Sequence, residues 1–148
     1  MSGSPLADWV SSQGQSQALL SSNGCRYDTT APLYNHIASL NQSRNWSLGQ
    51  SASYLTWQTR VLGYTSDTIQ LRKDIVRIVL SNQGEAGGTY TLATSGMQFA
   101  GGEKIVEILS CSQYTASGNG ELDVKMAGGV PSVLVPAKEL ERSGMCGF

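Results

Sequence analysis

Between residues 55 and 135 the chain falls into short runs that alternate apolar and polar side chains, and glycine-bearing turns separate most of them. A period of two puts one side of each run in a core and the other in water, which is how strands are written. The runs 55–61 and 68–72 follow this rule, 75–80 is nearly all apolar and reads as a central strand, and 89–93, 104–109, 121–126 and 132–135 read as further strands. Asn82-Gln83-Gly84 breaks the pattern; Gly87-Gly88, Gly101-Gly102, Gly118-Asn119-Gly120 and Gly128-Gly129 mark further turns. Gly118-Asn119-Gly120 reads as a hairpin turn, since positive φ costs little there. Short strands at this spacing predict a mainly β chain, an antiparallel sandwich.

One helix precedes the strands. Asp28-Thr29-Thr30-Ala31-Pro32 is its start signal, with Thr30 as cap and Pro32 in the first turn, where the missing N–H is not needed. Leu33, Ile37 and Leu40 then lie on one stripe, flanked by Tyr34 and Ala38, and the helix is expected to end near Ser43. Such a stripe calls for a surface to bury against. Residues 1–26 are rich in Ser, Gln and Gly, with Leu6, Trp9, Val10, Leu19 and Leu20 as the large apolar exceptions. They read as a flexible arm with a helical turn near Asp8-Trp9-Val10. The expected organisation is an arm over 1–26, a helix and linker over 27–52, and a sandwich over 53–148.

Composition removes several function classes. Charged residues are 14% of the chain and the net charge is −1, which offers no basic field for nucleic acid. No apolar run reaches membrane-spanning length. The start, Met1-Ser2-Gly3-Ser4-Pro5, lacks the apolar core of a signal peptide. The 3 cysteines are Cys25, Cys111 and Cys146. Asn41-Gln42-Ser43 and Asn45-Trp46-Ser47 are glycosylation sequons, so Asn41 and Asn45 matter if the chain enters the secretory route.

Catalytic and metal chemistry find little support. Glycoside hydrolysis needs two carboxyls held at a fixed separation across a sugar. The 11 acidic residues show no motif that would hold such a pair. Asp28 precedes a helix, Asp67 and Asp74 sit at turns, Glu107 and Asp123 read as solvent-facing strand positions, and Glu139 and Glu141 belong to a charged tail. His36, the single histidine, has no HExxH or Cys–His partner and reads as a helix-surface residue. Gly101-Gly102-Glu103-Lys104 lacks phosphate-loop spacing. Cys25 reads as an unpaired thiol. No catalytic residue, metal ligand or cofactor is expected. Trp9, Trp46, Tyr54, Trp57 and Tyr64 remain, and exposed indole and phenol rings are what sugar faces stack on. The plain alternative is burial in a helix–sandwich contact or an oligomer interface.

Several segments carry a family resemblance. Residues 28–34, Ile37-Ala38-Ser39-Leu40-Asn41 and Arg44-Asn45 resemble the last helix of the α-amylase (β/α)8 barrel. Residues 67–73 and 75–84, Tyr90-Thr91-Leu92, Gly101-Gly102 before Ile105-Val106-Glu107-Ile108, and residues 126–131 resemble the domain C that follows it. The chain is similar over about 18–148 to fungal members of glycoside hydrolase family 13. The resemblance implies a Greek-key sandwich of about eight strands, a Cys111–Cys146 disulfide, and secretion. Such a bridge is worth roughly 3–4 kcal/mol in the chain-entropy model. It also implies that the family's catalytic carboxylates, calcium ligands and cleft lie upstream of the resembling residues. The turn between Lys73 and Ile75 is shorter than is usual in the family. Either residues 72–75 form the turn, or the two strands pair between molecules in a homodimer that exchanges the first strand or the helix. The functional expectation is a non-catalytic binding protein, lectin-like or immunomodulatory, holding a glycan or cell-surface receptor through Trp46, Tyr54, Trp57 and Tyr64. The alternatives are the structural C-terminal portion of a starch-degrading α-amylase, and a weak residual hydrolase.

Overall fold

The computed structural model describes residues 20–21, 24–25, 28–50 and 52–148. The expected helical turn near Trp9, and the side chain of Cys25, lie outside the described residues. The chain divides into two compact units, 1–38 and 39–148.

In the first unit β1 (Leu20–Ser21) pairs antiparallel with β2 (Gly24–Cys25). Asp28 organises the entry to the helix. Its Oδ1 accepts from the Thr30 N–H at 2.8 Å and the Thr30 hydroxyl at 2.6 Å. The Thr30 hydroxyl therefore points back to Asp28 rather than capping the helix. These two bonds, the hydroxyl first, hold the Asp28 carboxyl below its ordinary range. Helix α1 (Pro32–Gln50) starts at Pro32 as expected and continues well past Ser43. The extension has a packing cause. The helix residues from Ser39 onward belong to the second unit, where Ser43 and Ser47, four apart, are buried and Trp46 between them packs into a core. Small side chains on that stripe let the helix approach closely.

The second unit is mainly β, as expected, and holds β3 (Arg60–Tyr64), β4 (Thr68–Lys73), β5 (Val76–Ser81), β6 (Thr89–Thr94), β7 (Lys104–Glu107), β8 (Ser112–Thr115), β9 (Leu122–Ala127) and β10 (Ser132–Pro136). One antiparallel sheet has the order β3-β4-β5-β10-β7-β8, and the other is the pair β6-β9. The expected strand over 55–61 begins instead at Arg60, because Ala52–Leu55 forms a 3-10 turn closed by the Thr56 and Trp57 N–H groups on the Ser53 carbonyl. The inner face of the large sheet and β9 enclose one core, with Val79, Ile105, Leu134, Leu122, Val124 and Met126. The outer face builds a second core from Val76, Val106, Val133 and Val135 against Trp46, Leu140 and Met145.

The shortened turn is closed within one chain. β4 and β5 pair through Lys73↔Val76, leaving Asp74 and Ile75 as the loop, with Asp74 at φ 51°. Arginines on either side hold its carbonyls. Arg72 Nε donates to the Asp74 carbonyl at 3.0 Å and Arg77 Nη1 to the Ile75 carbonyl at 2.7 Å. This removes the geometric motive for exchanging the first strand between molecules. The Gly118-Asn119-Gly120 turn is also corrected: it joins β8 to β9, which lie in different sheets, so it crosses the sandwich rather than closing a hairpin.

Candidate functional site

Chemistry-bearing residues concentrate where β3, β4 and β5 run side by side. Directly paired residues on antiparallel strands share a face. Arg60 pairs with Arg72, Arg72 with Arg77, and Arg77 with Leu134, so three arginines form a row on the inner face. Arg77 is 5% exposed and lies 4.7 Å from the Phe99 ring centre. Its Nε and Nη2 each donate at 3.2 Å, to the Met97 and Gln98 carbonyls. Burial first, and the neighbouring Arg72 second, bring its guanidinium down to about 10. Arg72 also donates through Nη1 to Gln98 Oε1. Sequence reading did not single out this row. The symmetry of Arg72 and Arg77 about the Asp74–Ile75 turn was the available signal, while Arg60 needed the β3 register.

The four expected ligand-binding aromatics separate. Trp46 is half-buried, and its Nε1 donates to the Glu139 carbonyl at 2.5 Å. Tyr54 packs against the same outer core, with Lys73 Nζ 5.3 Å from its ring centre. Burial pushes its hydroxyl up, partly offset by Arg44. Trp57 carries two guanidiniums, Arg60 at 5.5 Å and Arg72 at 5.0 Å from its ring centre, and its carbonyl accepts from Lys73 Nζ at 3.1 Å. Tyr64, by contrast, stands 80% exposed on the edge strand. It borders a shallow recess of ≈ 400 Å³ shared with Ile69, Leu80 and the turn 65–68.

The outer face of the large sheet shows a gradient. Val61 pairs with Leu71, Leu71 with Ile78, and Ile78 with Val133. Val133 is buried, Ile78 and Leu71 are half-buried, and Val61 is exposed. The parallel row Tyr64–Ile69–Leu80 is exposed at both ends. One half of this apolar face is therefore covered and the other half is bare. The helix stripe is bare too, with Leu33 61%, Ile37 50% and Leu40 39% exposed.

The carboxylates have structural employment. Glu107, expected in solvent, is buried. Its Oε1 accepts from Leu109 and Val133 N–H at 3.2 and 3.0 Å, and Oε2 from Ser110 N–H at 2.6 Å. That turn delivers Cys111 to Cys146, with which it forms a disulfide at a Cα separation of 5.2 Å. Glu103 accepts the Ala100 N–H inside the turn once compared with a phosphate loop, and pairs with Lys138 at 2.8 Å. Asp123 is exposed, and His36 is half-exposed on α1. Asn41 and Asn45 are exposed on the same helix. No cluster of three or more His, Cys, Asp or Glu suited to a metal occurs among the described residues.

Comparison with known proteins places the fold. Residues 61–148 match the family model described as α-amylase, domain C. The chain is 35% identical over 127 residues to α-amylase 2 of Schwanniomyces occidentalis, which covers 82% of the chain and 24% of that enzyme. It is 40% identical over 124 residues to α-amylase 1 of Lipomyces kononenkoae, covering 81% of the chain and 20% of the relative. The solved α-amylase of Malbranchea cinnamomea superposes with a TM-score of 0.75 at 35% identity, over 80% of this chain and 25% of that one. The chain thus spans about a quarter or less of the length of these relatives.

Proposed function

This chain belongs to the α-amylase domain C family, and from that premise we propose that it is the structural closing module of a starch-degrading α-amylase rather than a free-standing binder. The observation that carries the reading is the half-covered outer face of the large sheet. Val61, Tyr64 and Leu80 present apolar surface to water on the β3–β5 side of a sheet face whose β10 side, at Val133, is buried. Contiguous bare apolar surface of this kind marks a docking face. The helix stripe Leu33–Ile37–Leu40 offers a second such surface. The part of an α-amylase beyond the matched quarter is the partner these surfaces suit. Catalysis would belong to that partner. The Cys111–Cys146 bridge suits an oxidising, secretory setting.

A glycan platform built from the four aromatics has less support. Trp46 and Tyr54 are packed against the outer core, and Trp57 lies against two guanidiniums. The test is a reducing-sugar assay on soluble starch. The 148-residue chain alone is expected to release no sugar. A fusion carrying it in place of the matching quarter of the Malbranchea cinnamomea enzyme is expected to hydrolyse starch. Sugar release by the chain alone, or a folded fusion without activity, would overturn the proposal.

A further inference from the structure

The arginine row has no carboxylate at ion-pairing distance among the described residues, and Glu103, Asp74 and Glu139 act on Arg77 only from farther away. Like charges directly opposite across a sheet destabilise it. Here three guanidiniums stand in line on β3, β4 and β5. The one ion pair among the described residues joins Lys138 to Glu103, and none involves Arg60, Arg72 or Arg77. Neutral acceptors take part of the hydrogen-bonding capacity. Arg77 is held by the Ile75, Met97 and Gln98 carbonyls, and Arg72 by the Asp74 carbonyl and Gln98 Oε1. Arg72 Nη2 has no partner among the described residues, and Arg60 donates no hydrogen bond there at all. Both guanidiniums are nonetheless held in place, because each lies against Trp57. A cation resting on an indole loses little further side-chain freedom when it takes a ligand.

The open guanidinium fork of Arg60 and the free Nη2 of Arg72, on one aromatic support, match an acceptor with two or more oxygens on one atom. Arg77 adds charge from the buried side without offering its own edge. We propose that Arg60 and Arg72, on Trp57, form an oxyanion-binding site that takes a carboxylate or a phosphate-class anion. This site lies on the inner face of the sheet, so it is separate from the outer apolar face and does not depend on the role assigned to that face.

The test is ¹H–¹⁵N NMR of the arginine Nε–Hε resonances during titration of the chain with sodium phosphate, and separately with sodium acetate, at fixed ionic strength. Saturable shifts of Arg60 and Arg72 are expected in at least one arm. Saturation by acetate identifies the carboxylate class, and saturation by phosphate alone the phosphate class. Arg60→Gln should weaken the binding about 10-fold or more. Arg60 is exposed and donates no hydrogen bond, so the variant is expected to fold. Lys125→Gln, which removes an exposed cation on β9, should leave the half-saturation point unchanged. Shifts that rise linearly in both arms, or an unchanged affinity in Arg60→Gln, would overturn the proposal.

Discussion

Glu107 shows why alternation alone misplaces charged residues. It sits between the apolar pairs Ile105-Val106 and Ile108-Leu109, and a lone carboxylate in such a run reads as the wet side. In the structure it shares the inner face with Leu134, to which it is paired, and three backbone N–H groups converge on it. A buried carboxylate accepting three N–H bonds is an anchor for the turn that carries Cys111. Glu107→Gln replaces one acceptor by a donor facing those groups. It should cost about 2–3 kcal/mol, read as a lowered urea midpoint with an unchanged slope. An unchanged midpoint would mean that the turn is held by other contacts. Glu103 and Lys138 make a prediction with a definite pH window. Burial pushes the Glu103 carboxyl up, but the Lys138 and Ala100 donors outweigh it, so its folded value lies below the ordinary one. Glu103 in turn holds Lys138 above its ordinary value. The carboxylate's contribution is present above the ordinary carboxylate range and fades as pH falls through the folded value. The lysine's is present below the ordinary lysine range and fades as pH rises through its folded value. The stability gap between the wild type and Lys138→Gln should therefore be flat near neutrality and close in acid. A gap that persists at the lowest pH where the chain stays folded would contradict this.

Among the elements, the turns carry the clearest constraints. Gly120 sits at φ 80°, and a Cβ there would run into the Phe99 carbonyl. Gly118, two residues earlier, has open space around it. Gly120→Ala should therefore lower stability by about 1–3 kcal/mol, while Gly118→Ala stays near neutral, both measured by thermal unfolding. Equal effects would sink the distinction. Element type was legible in the sequence because period-two runs and glycine turns are local signals. Pairing was less so. Residues 112–115 escaped notice as a strand since Ser112-Gln113-Tyr114-Thr115 has little apolar contrast. The Gly118-Asn119-Gly120 signal correctly marked a reversal but could not say that its two strands join different sheets. Helix α1 was expected to stop at Ser43 because the apolar stripe thins after Leu40. The stretch that continues it is buried through the small Ser47 and anchored by Trp46, and the closeness that a buried serine allows is something no hydropathy pattern displays.

For the whole molecule, the sandwich and its disulfide were readable from residue order and a family resemblance, and the family match and the superposition agree with them. The candidate sites were not readable to the same degree. Four aromatics looked like one platform in sequence, yet the fold buries two edges, covers a third ring with arginines and leaves Tyr64 outside. The arginine row exists only once three strands are in register. What remains exposed and apolar is an unfinished outer sheet face and one helix stripe, and the central claim is that these are docking surfaces for the rest of an α-amylase. The direct measurement is the unfolding free energy of Ile37→Glu and Tyr64→Asp in two settings, the isolated chain and the fusion to the Malbranchea cinnamomea enzyme. Both positions are exposed in the chain alone, so each change should stay within about 0.5 kcal/mol there. In the fusion, burying a charge without a partner should cost more than about 2 kcal/mol. Equal, small effects in both settings would contradict the account.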